Sequence, residues 1–253
     1  MIQLKNKEDI VVLQEGGKRL AKVMKVLRRE VKSGVSAAFL DEIAYKMIKK
    51  YGGDPSFLNY QADFTNRPFP NSLCVSLNDT IVHGIPRKEI IFKPGDIISL
   101  DIGMEYKGLF TDMAITVGLE RMKPEERVLI EVTRKALNLA IKATRLGKTL
   151  GDIGYAIESY VKKNGFVVIR DLVGHGVGYA VHEEPPVFNY GEPGKGLILK
   201  SGLVIAIEPM VTFGSGSIKE NSDDSFATLN GKKACHFEHT VVITKKGPVV
   251  ITK

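Results

Sequence analysis

After residue 100 the chain carries five carboxylate or imidazole side chains in segments otherwise built for burial. They are Asp101 in Ile-Ile-Ser-Leu-Asp-Ile-Gly, Asp112 in Leu-Phe-Thr-Asp-Met-Ala-Ile and His175 in Val-Gly-His-Gly-Val-Gly. The other two are Glu208 in Val-Ile-Ala-Ile-Glu-Pro-Met and Glu238 in His-Phe-Glu-His-Thr-Val-Val-Ile. Taking an ionised carboxylate out of water is costly unless it is paired or coordinates a metal. Four such acids cannot share one interior without cations. One imidazole with four carboxylates on apolar strands reads as a two-metal site, and hydrolysis by metal-activated hydroxide is the chemistry such a site supports.

Asp101 and Asp112 flank an expected hairpin with its tip near Tyr106-Lys107-Gly108, which would place them opposite one another on one face. Two like charges so placed repel unless something positive sits between them. His175 stands between Gly174 and Gly176, which permit close backbone approach and open access to the ring. His182 and His83, in Val-His-Glu-Glu-Pro-Pro and Ile-Val-His-Gly-Ile-Pro, are two further candidate imidazoles. His236 and His239 flank Glu238, and neither receives a role. Competing motifs are weak: neither Glu192-Pro-Gly-Lys-Gly nor Thr212-Phe-Gly-Ser-Gly-Ser has the strand-to-helix context of a phosphate loop, and H-E-x-x-H and G-x-S-x-G are absent.

The elements that must position these groups recur in two copies. Apolar residues Val12, Leu13, Leu20, Val23, Met24 and Leu27 have helical spacing, and Lys32-Ser33-Gly34 ends that helix. Ser36 can cap a second helix that stops at Gly52-Gly53. Pro124 opens a third, closed by Gly147, and Thr149 caps a fourth that ends at Asn164-Gly165. After each pair the period changes to two. This predicts an α+β fold in one catalytic domain, 1–253, internally duplicated at about 1–120 and 121–253. The strands of both halves would form a curved antiparallel sheet, with two pseudo-symmetric helix pairs on its outer face and the site at the centre of the inner face.

Composition narrows the class. Hydrophobic residues make up 43% and charged residues 26% of the 253, as in ordinary globular proteins. No apolar run approaches the roughly 20 residues that span a bilayer, and the N-terminus has no signal-peptide layout. Two cysteines, Cys74 and Cys235, without a C-x-x-C pattern fit a reducing cytoplasm. The formal charge of +7 includes lysine pairs at 49–50, 162–163, 232–233 and 245–246. These describe a solvated surface, or a weak preference for RNA-rich surroundings.

The segments Cys74-Val-Ser-Leu-Asn-Asp, Val-His-Gly-Ile-Pro, Leu-Asp-Ile-Gly, Thr-Asp-Met-Ala, Gly-His-Gly-Val-Gly-x-x-x-His-Glu-Glu-Pro, Ile-Glu-Pro-Met and Phe-Glu-His-Thr together resemble the methionine aminopeptidases, in their short bacterial type I form. The resemblance covers essentially the whole chain and implies the fold called pita-bread. It implies that Asp112 and Glu238 bridge two divalent ions (Co, Mn, Fe or Zn), that Asp101 chelates one, and that His175 and Glu208 bind the other. Glu208 would accept the nucleophile's proton, His182 would hydrogen-bond the scissile carbonyl oxygen, and His83 would contact the leaving amide nitrogen. Cys74, Tyr60, Phe69 and Phe226 would form the methionine pocket. The chain departs from familiar members in the longer stretch Gln61-Ala-Asp-Phe-Thr-Asn-Arg-Pro, in Gln61 itself, and in Val181 at a position often aromatic.

The expected activity is removal of the initiator methionine from nascent chains whose second residue is small, by a cytoplasmic monomer in transient contact with ribosomes and with no specific nucleic acid or membrane partner. A proline-directed peptidase would share the ligands but carry a separate N-terminal domain. A metal-free binding module would have lost ligands, and all five are present.

Overall fold

The computed structural model describes residues 2–62 and 67–253, so part of the departing stretch (63–66) lies outside the described residues. The four expected helices form: α1 (Lys7–Glu30), α2 (Ala37–Lys50), α3 (Pro124–Ala143) and α4 (Leu150–Lys163). Three start on side-chain caps. Asn6 accepts from the Asp9 amide (2.9 Å) while Asp9 accepts from the Asn6 amide (2.9 Å). Ser36 accepts from the Phe39 amide, and Thr149 from that of Asp152. Such caps satisfy amides that have no partner within the helix. The third helix ends at Ala143 rather than at Gly147: at Thr144 (φ −72°, ψ 83°) the backbone leaves the helical conformation.

Every strand pair among the described residues is antiparallel. The layer is divided into four hydrogen-bonded groups of strands. Its longest member is the hairpin Ile97–Tyr106 with Leu109–Gly118. Lys107 (φ 52°) and Gly108 (φ 78°) form its two-residue tip, the positive-φ pair that matches strand twist in a tight hairpin. That tip sets the register. Asp112 faces Gly103 and Asp101 faces Ala114, so the two acids are diagonal neighbours rather than directly opposed. The offset is two residues, which keeps them on one face.

Alternation along the strands sorts helix-facing residues from site-facing ones. Ile98, Leu100, Ile102 and Met104 pack under α1 and α2, together with Leu20, Val23, Leu27, Leu40 and Ile48. In the second half Ile205, Ile207, Cys235, Phe237, Val241 and Ile243 pack under α3 and α4. The residues between them (Asp101, Glu208, His236 and Glu238) therefore face the other way. No helix among the described residues is long and apolar enough to cross a membrane.

Candidate active site

The two halves meet along a seam. Asp112, Ala114 and Thr116 run antiparallel to Thr240, Glu238 and His236. At its centre the Glu238 amide donates to the Ala114 carbonyl (2.9 Å) and the Ala114 amide to that of Glu238 (3.4 Å). On one side the Thr240 hydroxyl accepts from the Asp112 amide (2.9 Å) and donates to its carbonyl (2.8 Å). On the other the Thr116 hydroxyl does the same for His236 (3.0 and 2.7 Å). Thr116 has thus used its proton, so Ser99 must donate in the bond between them (2.9 Å). Two buried threonines therefore fix the backbones of Asp112 and His236. Thr240→Val keeps the volume and leaves two backbone groups of Asp112 unpaired. It should cost about 2–4 kcal/mol, read from the denaturant midpoint at unchanged slope; a loss below ~0.5 kcal/mol would show that the clamp holds nothing.

This seam brings candidate donors together in two groups whose ligand atoms lie within 4.8 Å of one another: Asp112, His175 and Glu238, and Glu208, His236 and Glu238. Glu238 belongs to both. Asp101 lies beside them, lining the same cavity as Asp112, His175, Glu208 and Glu238, and burial together with the neighbouring Asp112 raises its carboxyl. All five sequence-derived ligands thus sit at one place. His236, given no role from the sequence, sits there too: it is two residues before Glu238 in the run that faces Asp112–Thr116, and that parity was the available signal. His239 faces away, its Nδ1 3.0 Å from the Thr252 hydroxyl.

The strand Gly174–Gly176 inserts His175 tightly. A Cβ at Gly174 would stand 2.4 Å from the Ala206 carbonyl oxygen, and one at Gly176 would stand 2.3 Å from that of Glu184. The glycines are there for close strand approach. His175 Nδ1 lies 2.8 Å from the Gly176 carbonyl oxygen. A carbonyl only accepts, so Nδ1 carries the proton and Nε2 keeps its lone pair, 3.5 Å from Glu208 Oε1.

The electrostatics call for cations. Burial raises the Asp112 carboxyl to about 7 and that of Glu208 to about 8. Burial, reinforced by the neighbouring acids, holds Asp101 and Glu238 well above the usual carboxylate range. Burial also lowers His175 to about 4 and His236 to about 3, so both imidazoles are neutral donors. Asp101 Oδ1, Asp112 Oδ1, Glu238 Oε1 and His236 Nε2 are buried with no hydrogen-bond partner. Orphaned oxygen and imidazole donors converging in this way fit divalent ions of the Mn, Fe, Co or Zn type.

The centre lies against a cavity of about 510 Å³. Cys74, which pairs with Asp101 in the sheet, packs with Phe57, Val181, Tyr60 and Phe69 into an apolar wall. Phe57 is a wall residue that the sequence did not single out. Phe226 lines the same cavity from another side, edge-on to His83 at 5.9 Å between ring centroids. His83 follows the strand Thr80–Val82 at φ 59°, a conformation unusual for a side chain with a Cβ. Burial lowers its imidazole to about 4.

His182 stands edge-on to His175, with 4.4 Å between centroids. Much of its ring opens on the cavity, yet the surrounding protein still lowers it to about 3. Its Nδ1 lies 2.8 Å from the Tyr60 hydroxyl, so Tyr60 orients His182 as well as walling the pocket. The turn before His182 is held by Glu183. This carboxylate accepts from the amides of Tyr179 and Ala180 and pairs with the buried Lys5 ammonium at 2.5 Å.

The profile of metallopeptidase family M24 matches residues 12–245. Methionine aminopeptidase 1 of Bacillus subtilis is 40% identical over 254 residues, covering the whole of both chains. The crystal structure of methionine aminopeptidase from Thermotoga maritima superposes with a TM-score of 0.95 at 38% identity, again over the whole of both chains. A prolidase from Pyrococcus furiosus has a TM-score of 0.76 at 21% identity, and this chain covers 65% of its length. That likeness speaks for the shared pita-bread fold alone. Matched end to end with relatives of that name, and built around a buried carboxylate–imidazole centre, the chain belongs to the methionine aminopeptidases of metallopeptidase family M24.

Proposed function

We propose that this enzyme removes the N-terminal methionine from nascent proteins and peptides, preferentially when the second residue is small. The observation that carries the reading is the juxtaposition of a buried carboxylate–imidazole centre with an apolar wall of Cys74, Tyr60 and Phe69 in one cavity. Such a wall suits a thioether side chain.

Two divalent ions, from among Co, Mn, Fe and Zn, would be held with Asp112 and Glu238 between them, Asp101 on one, and His175 and Glu208 on the other. The membership of Glu238 in both donor groups and the place of Asp101 beside Asp112 support this division. When bound, such ions supply Lewis acidity and activate water near neutral pH. Glu208, whose Oε1 lies 3.5 Å from His175 Nε2 at this centre, would take the attacking water's proton. Neutral His182, oriented by Tyr60, donates to the scissile carbonyl oxygen as negative charge develops there. His83 stands ready to contact the amide nitrogen on the leaving side.

Removing the Tyr60 hydroxyl should disorient His182 without emptying the pocket. Tyr60→Phe is therefore expected to lower kcat about tenfold or more with KM changed much less; an unchanged kcat would remove Tyr60 from this role. Substrate choice tests the function itself. Metal-loaded enzyme should release methionine from Met-Ala-Ser and leave Leu-Ala-Ser and Ala-Pro-Ala intact. Preferred cleavage of Ala-Pro-Ala would instead make it a proline-directed peptidase.

The natural substrate class would be nascent polypeptide N-termini, met by a cytoplasmic monomer in transient contact with ribosomes. Lys49 is tied to Asp54, Lys162 to Glu158 (2.9 Å) and Lys233 to Glu126 (2.8 Å), leaving the pair at 245–246 as the freer cations. Unchanged ribosome co-sedimentation after their reversal to glutamate would count against docking through them.

The single domain would also be an internal duplication. The Gly34 amide donates to Phe92 and that of Gly147 to Leu199; Phe92 donates to Val35 and Leu199 to Lys148; Ala37 donates to Ile90 and Leu150 to Leu197. Ser36 bridges Ile91 as Thr149 bridges Ile198. Superposing 1–120 on 121–253 should bring these bonds into coincidence, and a superposition that scatters them would contradict a duplication.

A further inference from the structure

We propose that His236 is a sixth ligand of the metal centre, giving the Glu208 side a second imidazole. The inference rests on the metal-centre reading above and adds a donor that this reading does not use. His236 is 1% exposed, its backbone N–H and C=O are both fixed by the Thr116 hydroxyl, and its ring converges with Glu208 and Glu238 on one donor group. Its Nε2 atom lies 3.2 Å from Glu208 Oε2. That approach lacks hydrogen-bond alignment, and Nε2 has no other partner.

Spacing without alignment is what two ligands of one ion show. Donors about 2.0–2.2 Å from a common ion and separated by 90–110° stand roughly 2.9–3.5 Å apart. The distance of 3.2 Å from His236 to Glu208 Oε2 falls in that window, as does the 3.5 Å from His175 Nε2 to Glu208 Oε1. Each oxygen of Glu208 therefore has an imidazole nitrogen at ligand-to-ligand distance. Glu208, His236 and Glu238 also present donor atoms within 4.8 Å of one another. A residue that only oriented Glu208 would point its N–H along the line to the carboxylate. His236 does not.

The direct test counts imidazoles. X-ray absorption on the wild-type enzyme loaded with Zn or Co should show two imidazole ligands per chain, and this requires no variant. His236→Gln should lower the count to one, change the visible spectrum of the Co form, and weaken metal binding at least about tenfold by calorimetry. Glutamine keeps a donor for hydrogen bonding but not the imidazole, so a purely orienting role would be rescued by it. One imidazole in the wild type, with unchanged spectrum and affinity in His236→Gln, would overturn the proposal and leave the five-residue centre intact. Failure of the wild type to take up any ion would overturn both.

Discussion

Replacing Glu238 with glutamine should lower kcat/KM for Met-Ala-Ser by roughly 10⁴-fold and strip the protein of tightly bound metal. Glu238 is the donor common to both ligand groups, and it is 2% exposed. Its Oε1 has no hydrogen-bond partner, so that oxygen has no bond in the fold that would compete with coordination. Glutamine preserves the volume and the backbone exchange with Ala114, so the fold should survive. It removes one negative charge where two cations would otherwise share it. Circular dichroism, metal analysis and steady-state kinetics on the same preparation check this. A variant that kept its ions and worked within tenfold of the wild type would mean that Glu238 does not bridge.

Metal removal should invert the dependence of stability on pH. Asp112 is raised from an ordinary 3.8 to about 7 and Glu208 from 4.5 to about 8, both through burial. A carboxyl group whose folded value exceeds its unfolded value binds a proton more tightly when folded. Its contribution is full below the unfolded value and is lost as pH rises through the folded one. Below about pH 6.5 the buried imidazoles, lowered to about 3–4, act in the opposite sense, because they take up protons only when unfolded. The metal-stripped protein should therefore lose stability chiefly between about pH 6.5 and pH 8, by an amount of order a few kcal/mol. Asp101 and Glu238 are displaced in the same direction and extend the effect. Divalent ions select the deprotonated carboxylates, so the loaded protein should gain stability over the same interval. Thermal midpoints at pH 6.5 and pH 8, with and without chelator, measure both slopes. Parallel curves would mean that these carboxylates do not face the ions.

Much of this was legible in the chain. The caps Ser36 and Thr149 stand at the expected helix starts, and the five sequence-derived ligands converge. A buried acid in an apolar strand is a local anomaly, and local anomalies survive in sequence. What was hidden depends on register and on tertiary neighbours. A hairpin tip shifted by one residue turns Asp101 and Asp112 from opposed into diagonal neighbours. His236 flanks Glu238 in the sequence without a role, because its place at the centre depends on tertiary neighbours, Glu208 and Thr116, that the sequence does not bring together. Tyr60 was legible as a pocket wall but not as the partner of His182, 122 positions away in the chain. Nor could the sequence reveal that Thr116 and Thr240 would clamp the facing strand across the seam, because each meets its partner only after both halves have folded.

Divalent ions held at the centre on this seam should drive release of N-terminal methionine. The most direct test is a titration of chelator-stripped enzyme with Mn or Co, following methionine release from Met-Ala-Ser against bound ions per chain. The account predicts no turnover without metal, and activity that rises with bound ions and saturates by two per chain. Full activity in the stripped enzyme, or bound ions with no methionine released, would contradict it.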